Sequence, residues 1–252
     1  MQLETFLIIV TTIYGIIIGS FLNVCIYRIP KNESIIVNRS HCMNCGKQIK
    51  WYDLVPIVSY LVLGGKCRYC KTKLSIQYPL VEFINGLGYA LILISNGVNI
   101  KSILFCLCSS ALLTLSVIDW RTFEIPVAFN IFIGILGIIR LLTDLEHWYV
   151  YAIGFFAVSG FLYLLFLITK GRGIGGGDIK LMAAAGLLIG WKNIILALGI
   201  GCVLGSIIHI ILMKVQNKER VLAFGPYLSL GIYIAMLYGN QIIEWYINTF
   251  IY

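Results

Sequence analysis

Long, uninterrupted apolar runs fill most of this 252-residue chain. A helix that spans a membrane needs about 20 mostly apolar residues, and the chain has room for about eight such helices. The candidate segments are 3–24, 80–97, 102–118, 126–142, 149–169, 179–191, 194–213 and 224–248. Because the runs are continuous and do not alternate apolar with polar residues, we expect helices and not the strands of a β-barrel. The sequence therefore predicts an all-α, polytopic membrane protein with about eight transmembrane helices.

The composition excludes the other broad classes of protein. Charged residues make up 12% of the chain, about half of the 25% typical of a soluble domain, which is too few to cover a water-facing surface. Disorder requires low hydrophobicity together with high charge, whereas 60% of these residues are hydrophobic. The chain begins Met1-Gln2-Leu3-Glu4 without a basic segment, so we expect a retained first helix and not a cleaved signal peptide.

The basic residues indicate how the helices are oriented, because short cytoplasmic loops collect Lys and Arg. When the loops are assigned to alternate sides, sixteen of the nineteen bases lie on one side, and only Lys101, Arg140 and Lys192 lie on the other. We therefore expect both termini outside the cytoplasm and segment 28–79 inside it. The net charge of +8 is then a signal of topology, and we predict no nucleic-acid partner.

Residues 28–79 form an extended polar stretch that contains two Cys-x-x-Cys pairs, Cys42 with Cys45 and Cys67 with Cys70. Each pair can offer two thiolates to one ion, and two pairs complete a tetrahedral site. We predict a structural zinc in a small, zinc-ribbon-like cytoplasmic insert, although the 21 residues between the pairs slightly exceed the usual spacing. The alternatives are two disulfides, which a reducing cytoplasm disfavours, four idle thiols, or His41 as a ligand. The other cysteines are interpreted as packing residues: Cys25, Cys106, Cys108 and Cys202.

Two of the eleven acidic residues lie where a membrane makes a carboxylate costly. Asp119 is at the cytoplasmic end of the third segment and Asp178 is at the start of the sixth, so the topology puts both at one membrane face. Two carboxylates that meet in a partly dry site share a proton. The ionised one can then take a proton from water while the protonated one donates to a scissile carbonyl. The alternatives are a salt bridge from Asp119 to Arg121 or Lys180, and an N-cap role for Asp178.

Three other polar residues near the apolar segments receive simpler interpretations. Glu82, near the start of the second segment, and Glu124, in a short loop, are interpreted as interfacial groups or partners of a base. His209, within the seventh segment, is interpreted as a buried polar residue bonded to a neighbouring helix, with a proton relay as the alternative.

A glycine-rich loop precedes Asp178. It contains Gly171, Gly173, Gly175, Gly176 and Gly177. Without side-chain bulk, this loop lets another backbone come close, and we predict that a substrate strand lies against Gly175, Gly176 and Gly177. The loop is not a dinucleotide-binding fingerprint, because the third glycine of that motif is replaced by Asp178 and no βαβ unit surrounds it.

The chain resembles the prepilin peptidases, the type IV leader peptidase family of GxGD membrane aspartic proteases. The resemblance covers nearly the whole chain and depends on the order and spacing of several motifs. These are GSFLNVCIYRIP at 19–30, RSHCMNC at 39–45, WYD at 51–53, GKCRYC at 65–70, YPLVE at 78–82, Ile118-Asp119 with Ile125-Pro126, GGGDIKL at 175–181 and FGPY at 224–227. The sequence departs from the commoner family form at Asp119-Trp120-Arg121, where many members have a second acid.

The resemblance implies an eight-helix enzyme in the cytoplasmic membrane of a prokaryote. Its division would be a first transmembrane helix at 1–27, the cysteine insert at 28–79 and a membrane aspartic peptidase domain at 80–252. Asp119 and Asp178 would be the catalytic pair, and the four insert cysteines would bind zinc. The substrates would be prepilins or pseudopilins, which lose a short, basic, cytoplasmic leader.

The resemblance also implies a second activity. Many members with this insert methylate the new amino terminus, using S-adenosylmethionine, but no recognisable nucleotide fold in this sequence supports that independently. A peptidase without methyltransferase activity is therefore one alternative. Two others are a zinc-stabilised transporter in which Asp119 and Asp178 bind an ion, and a scaffold that docks partners through the insert.

Overall fold

The computed structural model describes residues 2–37, 39–171, 173–216 and 223–250. Within these ranges the chain is largely helical and contains two isolated β-bridges but no β-strand, which confirms the all-α prediction. The α-helices there are α1 (Gln2–Arg28), α2 (Val58–Val62), α3 (Gln77–Asn96), α4 (Ile100–Thr122), α5 (Val127–Thr143), α6 (Trp148–Ile168), α7 (Gly176–Ile189), α8 (Trp191–Gln216) and α9 (Gly225–Phe250). Short 3-10 turns lie at Ile29–Lys31, Trp51–Leu54 and Leu145–His147. Among the bases used to predict orientation, Arg172, Lys218 and Arg220 lie outside the described residues.

Five helical stretches of the described residues are long and apolar enough to cross a membrane. They are Gln2–Lys31, Gln77–Asn96, Ile100–Thr122, Leu145–Ile168 and Trp191–Lys214. Helix α5 is apolar but shorter, and α7 has only 14 residues. The chain is thus a multi-pass membrane protein with five candidate spans among the described residues, and the eight crossings expected from the sequence stay a prediction.

Many large apolar side chains lie on the outside of these helices. In α1 and α8, only 17% and 22% of the most apolar stretch is buried. Phe6, Ile13 and Ile207 are examples of side chains more than half exposed. Such surfaces are unstable in water, whereas lipid chains solvate them at no cost. These faces are therefore compatible with a lipid bilayer.

The chain divides into two compact units, Met1–Ser102 and Ile103–Tyr252. In the first unit, α1 packs along α3, and Gly19 allows a close approach, since a Cβ there would lie 2.6 Å from the Cα of Glu82. The cysteine insert lies between these helices in sequence. The domain boundaries expected at residues 28 and 79 are based on the polarity of the sequence, whereas the two compact units are defined by packing. The expected division into functional domains therefore stays a prediction.

In the second unit, the short helix α7 packs against α5, α6, α8 and α9. Most of its residues are buried, including the run Leu181–Ile189 apart from Leu187. Small residues allow this, because Gly186 and Gly154 of α6 bring the two backbones into contact. The Ala and Gly residues of α7 thus allow this short helix to lie among other helices.

Candidate active site and metal site

Asp119 lies in the last turn of α4 and is only 4% exposed. The helix ends at Thr122. The next residue, Phe123, adopts a left-handed φ of 56° and donates its N–H to the Asp119 carbonyl at 2.8 Å. The Asp119 carboxylate accepts a hydrogen bond of 2.9 Å from the backbone N–H of Gly225, at the start of α9. This contact joins residues 106 positions apart and holds one carboxylate oxygen in place.

Asp178 is the third residue of α7 and is 9% exposed. The predicted N-cap alternative is wrong, because the N-cap is Gly175, in an extended conformation, and the helix begins at Gly176. The carboxylate instead reaches back to the backbone of Gly175, which is the role of an acidic residue at the third position of a capping box. The glycine loop therefore positions Asp178 at a helix N-terminus, where negative charge is favoured.

The two aspartates lie close enough for a charge on Asp119 to act on Asp178. The Ile125 side chain packs against the backbone near both aspartates. A Cβ at Gly177, next to Asp178, would lie 3.0 Å from it, and a Cβ at Gly225, which bonds Asp119, would lie 3.3 Å from it. Neither carboxylate has an ion pair with a basic residue in the described part of the chain, so the salt-bridge alternative for Asp119 finds no support there. Two such carboxylates without a counter-charge favour a shared proton.

The glycines predicted to receive a substrate differ in their surroundings. A Cβ at Gly176 would meet no atom within 4 Å, whereas one at Gly175 would lie 3.0 Å from the Asp178 carboxylate. Gly177 packs against Ile125. The structure thus brings all three beside Asp178, with open space at Gly176, and their contact with a substrate stays a prediction.

Residue-level reasoning on the sequence gave no role to Gly225. Its signals in the sequence are its place in the FGPY motif of the family resemblance and the Gly225-Pro226 step, since Pro is common at the first position of a helix. The hydrogen bond to Asp119 makes it part of the site.

The insert cysteines form a second candidate site. The Sγ atoms of Cys42, Cys45, Cys67 and Cys70 all lie within 4.8 Å of one another, and none of these residues is in a disulfide. The disulfide alternative therefore finds no support, and the cluster is a group of ligands that could hold a metal ion. His41 lies outside the cluster, with its ring nitrogen 3.2 Å from the Arg39 carbonyl.

Both Cys-x-x-Cys turns have the same backbone design. The N–H of Cys42 donates to the Lys47 carbonyl and that of Cys67 donates to the Thr72 carbonyl, each at 2.9 Å. The residue after each second cysteine has a positive φ, 68° at Gly46 and 58° at Lys71. The two turns can therefore present their thiols in equivalent ways.

Hydrogen bonds within the cluster favour ionisation of the Cys42 and Cys70 thiols. A bond from the backbone N–H of Cys45 lowers the pKa of the Cys42 thiol. The hydroxyl and backbone of Thr72 lower the pKa of Cys70 to about 5. A hydrogen bond from the Lys47 backbone lowers the pKa of Cys45, but burial and the neighbouring Cys42 and Cys70 thiols outweigh it and raise that pKa to about 11. Asn44 donates 2.7 Å and 3.7 Å bonds to Thr72 Oγ1 and to Cys70 Sγ. Such outer contacts orient the groups that bind a metal.

The fold and the two buried aspartates are typical of membrane-embedded proteins that carry out acid–base chemistry with paired carboxylates. Comparison with known proteins identifies the family. The model of the bacterial peptidase A24 N-terminal domain matches residues 13–96, and the model of the type IV leader peptidase family matches residues 106–210. The gap between the two matches, residues 97–105, contains the sequence boundary between the two compact units, Ser102 and Ile103.

Individual relatives match almost the whole chain. A Bacillus subtilis (strain 168) protein named prepilin leader peptidase/N-methyltransferase is 34% identical over 241 residues, covering 94% of this chain and 96% of the relative. Relatives of the same name from Pseudomonas aeruginosa and Legionella pneumophila are each 30% identical, covering 96% of this chain and 93% and 95% of their own length. No solved structure matches the chain. The chain belongs to the type IV leader peptidase family.

Proposed function

We propose that this protein is a prepilin leader peptidase that uses Asp119 and Asp178 as its catalytic pair, and that it also methylates the new amino terminus. The observation that carries the proposal is the meeting of two buried carboxylates, without a basic partner in the described residues, beside the Gly225 N–H. Family membership and the names of the relatives favour this function over the transporter and scaffold alternatives.

Peptide hydrolysis follows from one proton shared by the pair. The ionised aspartate takes a proton from water as the water oxygen attacks the scissile carbonyl carbon, and the protonated aspartate donates to the carbonyl oxygen. The aspartate that took the proton from water gives it to the amine nitrogen as the C–N bond breaks, and the other aspartate takes back a proton from a hydroxyl of the tetrahedral intermediate. The Gly225 N–H holds the Asp119 carboxylate in position throughout. The two groups act as one coupled unit, so either can be described as the base.

The excess of basic residues in alternate loops supports eight membrane crossings with both termini outside and the site at the cytoplasmic face. A prepilin or pseudopilin anchored by its apolar helix would present its short, basic leader at that face. The open space at Gly176 is where we place the backbone of the substrate.

Methylation requires a donor, and we propose S-adenosylmethionine. It supplies the methyl group when the lone pair of the neutral amine forms the N–C bond and the C–S bonding pair stays on sulfur, leaving a neutral thioether. The relatives' names support this activity.

We also propose that the four insert cysteines bind structural zinc. A regular tetrahedron with Zn–S bonds of about 2.3 Å has S···S edges of about 3.8 Å, and Cys42 Sγ lies 3.8 Å from Cys70 Sγ. The residues therefore fit the ion, which would tie together two turns that are far apart in sequence.

The dyad is tested by co-expressing the protein with a prepilin substrate. Asp119→Asn and Asp178→Asn should each reduce cleavage by at least about 10³-fold, because neither variant can share a proton between two carboxylates. The matched control is Glu146→Gln, which removes an exposed acid of the same unit and should cleave normally. Normal cleavage by either Asn variant, at wild-type abundance in the membrane, would refute the assignment.

A further inference from the structure

A cavity of about 580 Å³ lies within the first compact unit. Its walls come from the end of α1, from α2, from the start of α3 and from both cysteine turns, all between residues 20 and 82. Its volume is in the range of about 300–1,000 Å³ typical of small-molecule sites. Asp119 and Asp178 belong to the other unit and do not line this cavity.

The walls suit a ligand with a flat aromatic ring and an apolar chain. Three tyrosines line the cavity, Tyr27, Tyr60 and Tyr78, together with Leu54 and Leu63. Tyrosine rings stack on planar groups and their hydroxyls also bond polar atoms, as the Tyr60 hydroxyl does at 3.5 Å to the Leu74 carbonyl. A nucleoside base is a ligand of this kind.

The acidic side chains at the cavity differ in how their charge is balanced. Asp53 accepts two hydrogen bonds from Arg68, at 2.8 Å and 2.6 Å, so a guanidinium already neutralises it. Glu82 is only 6% exposed and is bonded to the backbone N–H of Ile57 at 2.7 Å and to the Ser20 side chain. No ion pair joins Glu82 to a basic residue among the residues described. A buried carboxylate held by dipoles alone is strongly stabilised when a cation enters beside it.

The backbone beside Glu82 is strained. Ile57 has a φ of 61° and a ψ of −54°, a conformation that is rare for a β-branched residue. It is this residue that donates its N–H to the Glu82 carboxylate. Strain of this kind persists where the surrounding structure requires a specific geometry, as ligand sites do.

We propose that this cavity binds S-adenosylmethionine and that Glu82 provides the negative charge facing this cationic ligand. The inference rests on the methylation proposed above. The tyrosines accept the adenine ring, and Arg28 and Lys73, which also line the cavity, offer positive charge to the carboxylate of the amino-acid part. This role for Glu82 differs from the one expected from the sequence, that of an interfacial group or the partner of a base.

The test measures equilibrium binding of S-adenosylmethionine to the purified, full-length protein in detergent, by titration calorimetry. Glu82→Gln keeps the shape of the side chain but removes its charge, and should weaken binding at least tenfold. Ser59→Phe fills the cavity from α2 without altering Glu82, and should also weaken binding at least tenfold. The matched control is Glu33→Gln, an exposed acid of the same unit, which should bind as the wild type does. The thermal unfolding midpoint of each ligand-free variant reports its folding.

The outcomes separate this inference from the proposed function. If Glu82→Gln does not fold, Ser59→Phe decides whether the cavity is the binding site. Wild-type affinity in folded Glu82→Gln or Ser59→Phe would overturn the inference even where the wild type methylates its product. A wild-type protein that cleaves prepilin but binds no S-adenosylmethionine would overturn both the inference and the methylation, and would leave the peptidase intact.

Discussion

At the scale of single residues, the absence of a side chain at Gly225 determines where Asp119 lies. A Cβ at this position would be 2.7 Å from Asp119 Oδ2, closer than real Cβ atoms approach, and 3.1 Å from its Cγ. The glycine thus lets its own N–H reach the carboxylate at 2.9 Å. The carboxylate could not keep this position if any other residue occupied 225.

Gly225→Ala should therefore reduce cleavage by roughly 10-fold to 100-fold, because displacement of a reacting group by about 1 Å has effects of that size. The measurement is the rate of prepilin processing by purified protein. Gly199→Ala is the matched control, since a Cβ there would meet nothing within 4 Å. Equal rates in the two variants would show that the Gly225 contact does not position Asp119.

The sequence predicts some of the site residues but not others, and the difference has a physical reason. Asp119, Asp178 and the four cysteines stand out because their chemistry is costly in an apolar helix or repeats at a ligand spacing. Gly225 and Glu82 gain their roles from partners 106 and 25 residues away. No local pattern records such a contact.

At the scale of helices, the crossing of α6 and α7 depends on two glycines. Each of Gly154 and Gly186 would place a Cβ against the carbonyl oxygen of the other. Within a bilayer, helices associate through close backbone packing of this kind because lipid removes the hydrophobic drive between them. Since α7 carries Asp178, this crossing also supports the candidate active site.

Gly186→Ala should lower the stability of the protein by about 1–3 kcal/mol, the usual cost of overpacking, and should reduce cleavage along with it. A thermal unfolding scan in detergent measures the first effect and prepilin processing the second. Gly160→Ala, on α6 where a Cβ meets nothing within 4 Å, should change neither. An unaltered unfolding midpoint in Gly186→Ala would contradict the close crossing.

The cysteine insert is a second element whose proposed zinc can be tested. Purified protein should contain about one zinc per chain, and Cys42→Ser should lose it, because three thiolates bind a structural zinc far less tightly than four. Elemental analysis of reduced protein makes the measurement. Cys202→Ser, which alters an exposed cysteine outside the cluster, should keep its metal. Metal-free wild-type protein would argue against the zinc site.

At the scale of the whole molecule, the distribution of basic residues predicts which loops face the cytoplasm. Trp51 lies in the basic insert and is 80% exposed, whereas Glu146 lies in the turn between α5 and α6. The positive-inside rule places the first on the cytoplasmic side and the second outside.

Labelling with a membrane-impermeant maleimide tests this orientation. In intact cells from which the outer barrier has been removed, Glu146→Cys should react at once, and Trp51→Cys should react only after the membrane is permeabilised. Both variants are compared with the wild type, which measures the background from native cysteines. The reverse pattern would place the candidate active site on the wrong side for a cytoplasmic leader.

The order of amino acids alone was enough to predict an all-helical membrane protein, its cysteine cluster and two acids worth testing. The reason is that the cost of moving side chains from water into lipid, and the spacing of metal ligands, are both properties of short stretches of sequence. Only the tertiary structure decided how distant segments pack. In the structure, α7 begins at Gly176 and lies among four helices, Gly225 bonds Asp119, and Glu82 lines a cavity. These facts depend on contacts between distant segments, whose free energy is realised only when the helices come together.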